Sequence, residues 1–168
     1  MKKYCFLLLL FTVSFCSCAQ QNAQNKYGLK VVNDYKTYKA DVAKNPDLEL
    51  VDIKKAIPSI VLDIRYATKN NFMQQVMYKQ ARAFARKPVV EKLKLIQAAL
   101  KKDGYGLKIY DGYRPYAVTI SFYEKASDKN FVANPAKGSK HNRGCAVDLS
   151  IIDLIKEFPI MISTAFEK

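Results

Sequence analysis

An α+β domain, a small and mostly antiparallel sheet with helices packed on one side, is the fold class the sequence predicts. Three observations carry that prediction. The segment after Pro88 repeats apolar residues at helical spacing. Several short runs rich in β-branched and aromatic residues read as strands. The two kinds of segment do not alternate in the strand–helix–strand rhythm that a doubly wound parallel sheet requires. The 168 residues suffice for one domain with a core, and 49% hydrophobic with 12% aromatic content excludes a disordered chain.

At the amino terminus, Met1-Lys2-Lys3 is a short basic stretch and Tyr4 to Phe15 an almost unbroken apolar run. That run falls short of the ~20 apolar residues of a membrane span. Residues 1–18 therefore read as an export signal and are set apart from fold reasoning. Two cleavage sites compete. Ser17-Cys18 resembles a bacterial lipoprotein signal, which would make Cys18 the lipidated residue, whereas Ser17-Cys18-Ala19 is a small-x-small site cut after Ala19. The lipoprotein reading is favoured, because Cys18 ends the apolar run and a polar tether, Gln20 to Asn25, follows. Residues 19–35 are then a linker and residues 36–168 the domain.

Within the domain, Lys36 to Lys44 is expected as a short helix ahead of the Asn45-Pro46-Asp47 turn. Leu48–Ile53 and Ile60–Tyr66 are expected as strands, with Asn70-Asn71 and the Met/Gln segment behind them as loop. In the clearest helix, Val89, Leu93, Ile96 and Leu100 form the apolar stripe, while Glu91, Lys92, Lys94 and Lys101 face outward. Pro88 suits its first turn and Gly104 its left-handed stop. Gly106–Tyr110 is the next strand, Pro115 opens a helix reaching about Lys125, Ser127–Ser139 is loop, and Gly144–Ile151 is the last strand.

The net charge of +13 does not point to nucleic acid: the lysines are scattered, with no arginine-rich helix and no aromatic ladder between them. Cys5, Cys16 and Cys18 belong to the signal, so the domain keeps only Cys145 and no internal disulfide. Strand alternation would turn Cys145 away from Asp148, which predicts a buried structural thiol.

Two constellations could carry chemistry. His141, the one histidine, precedes Asp148 by seven residues, and an imidazole with a carboxylate on a rigid element suits a divalent metal such as zinc. Alternation would place Ala146, Asp148 and Ser150 on one face of the last strand. A catalytic zinc takes three protein ligands and a water, and no second histidine is present; a solvated loop histidine and a surface aspartate are the plain alternative. In Tyr110-Asp111-Gly112-Tyr113-Arg114-Pro115, Arg114 falls at a strand-to-helix junction. Its guanidinium could stabilise an oxyanion or hold a carboxylate, or form a purely structural ion pair with Asp111.

Together, Ser139-x-His141-x-x-Gly144-x-Ala146-x-Asp148, the preceding Asp111-Gly112-Tyr113-Arg114-Pro115, and Arg65-Tyr66-Ala67-Thr68 with Asn71-Phe72 resemble the D-alanyl-D-alanine dipeptidases. These are zinc peptidases related to the D,D-carboxypeptidases. The resemblance spans roughly residues 48–151, three separated motifs in order. It implies one Zn2+ held by His141 and Asp148, Arg114 as transition-state stabiliser, and a dipeptide pocket shaped by Ser139, Tyr66 and Phe122. It further implies hydrolysis of D-Ala-D-Ala to two D-alanines in peptidoglycan turnover. D-Ala-D-Ala or peptidoglycan stem peptides would be the partners, and the protein would be exported, periplasmic or membrane-anchored through a lipid.

The family's third zinc ligand and general base form a Glu-x-x-His sequence further on. Here Asp153, Glu157 and Glu167 are the acids after Asp148, and no histidine follows any of them. The expectation is therefore a domain truncated at its carboxyl end, without a general base, and weakly active or inactive. Two other readings stand beside it: a non-catalytic cell-wall binding module that uses the basic surface and Arg114, and a D,D-carboxypeptidase or L,D-type relative acting on longer stem peptides.

Overall fold

The computed structural model describes residues 25–156. The expected export signal and Cys18 lie outside the described residues, as do Glu157 and Glu167. Among the described residues, no helix is long and apolar enough to cross a membrane.

Helix α1 (Tyr35–Lys44) begins where Asp34 accepts the Thr37 N–H at 2.7 Å, a side-chain N-cap, and ends at Asn45. It buries none of its own residues and is tied down by the Tyr38 hydroxyl, which accepts the Leu50 N–H at 2.8 Å. Strand β1 (Leu50–Asp52) passes directly into the single turn α2 (Ile53–Ala56), because Asp52 caps that turn through the Lys55 N–H. The same Asp52 carboxylate takes both Nε and Nη2 of Arg82, at 2.8 and 2.6 Å, which joins β1 to the approach to β3 (Phe84–Arg86).

β1 and β3 form an antiparallel pair, Val51 opposite Ala85. A second sheet runs in the order β2 (Val61–Leu62), β4 (Tyr105–Asp111), β5 (Asp148–Asp153), with β2 parallel and β5 antiparallel to the central strand. The core between the two sheets and helix α3 (Lys87–Lys102) consists of Ile53, Ile57, Ile60, Ile64, Ala83, Ala85, Val90, Leu93, Leu107 and Ile109. Helix α4 (Tyr116–Lys125) buries Val118, Thr119 and Phe122, and its apolar face meets Met73 and Tyr66 in a smaller cluster. The architecture is α+β, as the sequence predicts.

Several elements differ in detail. The stripe of α3 that reaches the core is Val90, Leu93 and Gln97, while Ile96 is exposed. The stripe is rotated because the Gln97 amide is buried and bonded on both sides. Its Oε1 accepts the Leu107 N–H at 2.8 Å and its Nε2 donates to the Ser59 hydroxyl at 3.2 Å. β2 pairs only with Lys108 and Ile109, so it leaves the Leu107 end of the central strand to this side-chain partner. Ile60–Tyr66 is a strand only at Val61–Leu62; from Arg65 the chain turns into a 3-10 helix, Arg65–Ala67. The last strand begins at Asp148 rather than Gly144, because Gly144 (φ +69°) turns the chain and its carbonyl accepts the Arg86 N–H, tying the turn to β3. Cys145, outside any ladder, is exposed rather than buried.

Candidate metal centre

The site forms where the end of β4, the start of α4 and the loop before β5 are stitched together. His141 Nδ1 lies 2.9 Å from the Gly112 carbonyl, and the His141 carbonyl accepts the Arg114 N–H at 3.1 Å. Asn142 adds a bond from Nδ2 to the Arg114 carbonyl (2.9 Å) and another to the Thr119 hydroxyl (2.7 Å). Asn142 is itself fixed by a reciprocal pair with Ser139: Oδ1 accepts the Ser139 N–H and the Ser139 hydroxyl accepts the Asn142 N–H. The histidine loop and the arginine junction thus hold each other through backbone groups.

A carbonyl at Nδ1 requires the proton there, which leaves the Nε2 lone pair available. Nε2 faces Asp148 Oδ1 at 3.5 Å. The contact raises the imidazole above its ordinary pKa and lowers that of the Asp148 carboxyl; partial burial opposes both shifts. Two donors bound to a tetrahedral zinc at about 2.0–2.1 Å would lie roughly 3.3 Å apart, so the observed separation suits a shared cation. A nitrogen with a carboxylate oxygen is also a donor set zinc accepts. By this test His141 and Asp148 fit the metal.

Asp148 owes its place to a register shift. Ile109 opposes Leu149, and the next pair is Asp111 with Asp148, which leaves Tyr110 as an extra residue on β4. A bulge of this kind re-aims side chains at a sheet's edge, here setting two carboxylates across from one another. Arg114 lies between them, with Nη2 2.6 Å from Asp111 Oδ2 and 3.9 Å from Asp148 Oδ2. Its guanidinium also stacks over Phe122 and Tyr66, at 4.9 and 5.7 Å to the ring centroids.

Beside Asp148 opens a cleft of about 560 Å³ lined by Arg65, Tyr66, Asn71, Phe72, Tyr110 and Asp111 among others. Its wall is set by Asn71, whose amide donates to the Arg65, Thr68 and Gln75 carbonyls, and by the edge-to-face packing of Tyr66 on Phe72. Of the residues expected at the pocket, Tyr66 lines this cleft. Phe122 is buried behind it, packed on Tyr66, Phe72 and Arg114. Ser139 does not reach it: its hydroxyl is engaged with Asn142, and it lines a separate cavity with Tyr116 and Arg143. Arg114, His141 and Asp148, separated in sequence, are brought together within a few ångströms.

Sequence reasoning missed Tyr78 and Asn142. The Ser139-x-x-Asn142 spacing is a local signal for the reciprocal turn that fixes Asn142. Tyr78 gave none, since its hydroxyl meets Asp111 (2.8 Å) across thirty-three positions of sequence. Asp111, read as a structural partner for Arg114, also belongs with His141 and Asp148 in a trio whose donor atoms lie within 4.8 Å of one another.

The D-alanyl-D-alanine dipeptidase of Escherichia coli (strain K12) is 31% identical over 105 residues, which are 62% of this chain and 54% of that protein. The chain thus spans about half the length of the curated relative it matches. Residues 46–158, from the turn before β1 to just past β5, match the Peptidase M15 family, D-ala-D-ala dipeptidase, and the chain belongs to that family.

Proposed function

We propose that this chain carries the zinc-binding and transition-state half of a D-Ala-D-Ala dipeptidase site. The observation that supports it best is the juxtaposition of His141 Nε2, Asp148 and the Arg114 guanidinium, with Asp148 also lining the adjacent cleft. His141 and Asp148 would hold the zinc. When bound, zinc would polarise the scissile carbonyl and acidify a water. Hydrolysis of the dipeptide would add a water to the carbonyl carbon, break the C–N bond and pass a proton to the leaving amine.

The chain's own residues account for part of this. Gly112 keeps the His141 proton on Nδ1, so that Nε2 presents a lone pair. Arg114, clamped by Asp111, stays charged despite its burial and can stabilise negative charge developing on the carbonyl oxygen. Tyr66 and Phe72 wall the cleft on one side, packed edge-to-face. Proton transfer is the weak point. Asp148 is committed as a ligand and Asp111 to Arg114, so neither carboxylate is free to act as base. Among the described residues no carboxylate lining the cleft is free to act as base; lack of one would cost about 10²–10⁴-fold in rate, and two protein ligands would hold zinc less firmly than three.

The export signal read in residues 1–18, with Cys18 as a lipid anchor, supports a site of action outside the cytoplasm, where peptidoglycan is turned over. The test is to incubate the purified chain with D-Ala-D-Ala and zinc and to measure free D-alanine. The expected result is slow, chelator-sensitive release that Arg114→Ala abolishes. Release at ordinary enzyme rates would show that a base acts in this chain, and chelator-insensitive release would contradict the metal. Preference for longer stem peptides would favour a carboxypeptidase instead.

A further inference from the structure

Asp111 lies close enough to His141 and Asp148 to serve as a third metal ligand, and its bonding argues against that use. Its side chain is 2% exposed. Oδ1 accepts the Tyr78 hydroxyl and the Gly112 N–H, both at 2.8 Å, and Oδ2 accepts Arg114 Nε at 3.0 Å and Nη2 at 2.6 Å. A carboxylate has about four acceptor positions, and here all are filled. Turning Asp111 toward a cation would break a two-bond guanidinium clamp and leave a charge that is only 12% exposed without its partner.

We infer that Tyr78 and Asp111 form a brace that positions Arg114, so that Asp111 serves the arginine and stays out of the metal's coordination. This rests on the reading of Arg114 as the group that meets the developing oxyanion. The guanidinium is fixed on one edge by Asp111 and across its faces by Phe122 and Tyr66. An edge clamp of this kind suits arginine and not lysine, because only a planar fork can present Nε and Nη2 together while keeping other donors for a ligand. The brace is also linked to the cleft wall. The Tyr66 carbonyl accepts the backbone N–H groups of both Met77 and Tyr78, and the Tyr66 and Tyr78 rings pack edge-to-face at 5.7 Å. The segment that lines the cleft therefore delivers the hydroxyl that holds Asp111.

The test uses the full chain and two measurements. Hydrogen exchange at the Arg114 Nε–H, followed by 15N NMR and assigned with Arg114→Lys, reads the brace. Zinc affinity by competition with a chromophoric chelator reads the metal site. The Arg114 Nε–H is expected to exchange at least about tenfold more slowly than that of the exposed Arg143. Asp111→Asn should remove that protection, and Tyr78→Phe should reduce it severalfold, with zinc affinity changed by no more than about twofold in either variant. Fast exchange at Arg114 in the unaltered protein would overturn the brace. So would an Asp111→Asn protein that keeps the protection and loses about tenfold or more in zinc affinity, since Asp111 would then be a ligand. If Asp111→Asn does not fold, Tyr78→Phe decides by itself, and unchanged exchange in that variant overturns the role given to Tyr78. Failure of the unaltered protein to bind zinc would count against the proposed function, while the exchange measurement would still judge the brace.

Discussion

Replacing His141 with alanine is expected to weaken zinc binding by more than about 100-fold, beyond the 10–100-fold that loss of a supporting partner alone produces. His141 would supply the nitrogen donor, and among 168 residues no other imidazole can substitute for it. Asp148→Asn should come close to the same loss, because the neutral amide oxygen is a poorer donor and the negative charge opposing the cation is gone. Chelator competition gives both affinities on one scale. The two variants should remain folded: Asp148 is more than half exposed, and the loop around His141 keeps its Asn142–Ser139 and Arg114–His141 backbone bonds. If either variant binds zinc as tightly as the unaltered chain, the metal sits elsewhere.

Gly112→Ala is expected to destabilise the fold by about 2–4 kcal/mol, a large effect for a single methyl group. A Cβ at this position would lie 2.5 Å from the Phe84 carbonyl oxygen, a backbone atom that cannot rotate away. The crowding has a cause: the Tyr113 N–H donates to that same carbonyl at 2.6 Å, so the end of β4 crosses closely over β3. Gly112 also presents its carbonyl to His141 Nδ1 and its N–H to Asp111 Oδ1. A shift of this one residue therefore disturbs the histidine tautomer and the arginine clamp together. Urea unfolding should show a lower midpoint with unchanged slope, and an unaltered midpoint would show that the crossing yields without cost.

These residues show which parts of the molecule are legible in the chain. Helix α3 is legible because its sixteen residues, with Pro88 in the first turn, repeat one pattern up to a stop at Gly104, whose φ is +80°. Its exposed Ile96 is not, because the rotation of the stripe depends on Gln97 meeting a strand end that β2 is too short to cover. Ile60–Tyr66 has strand composition, yet the Ala67 and Thr68 N–H groups find local acceptors in Ile64 and Arg65, and the chain closes into a 3-10 turn. Propensity cannot foresee that local bonds win there over a ladder.

The candidate site divides in the same way. His141, Asp148 and Arg114 were legible as residue types with the right chemistry. Their convergence depends on the bulge at Tyr110, which resets the register between β4 and β5 and has no signature in composition. Ser139 was legible as part of a motif, but its hydroxyl is turned to local structure, where it fixes Asn142 behind the histidine. The burial expected of Cys145 followed from alternation along a strand that starts four residues later than expected, and it is exposed for that reason.

The most direct measurement follows from the solitude of His141. As the one histidine, it gives a single set of imidazole resonances in the 15N-labelled protein. In the metal-free chain the Gly112 carbonyl holds the proton on Nδ1, and the Asp148 carboxylate favours a second proton on Nε2, which zinc must displace. Adding zinc should move the Nε2 resonance most, leave the Nδ1 proton in place, and have no effect in Asp148→Asn at the same zinc concentration. Loss of the Nδ1 proton on adding zinc, or an imidazole spectrum that zinc leaves unchanged, would contradict a metal centre built on His141 and Asp148.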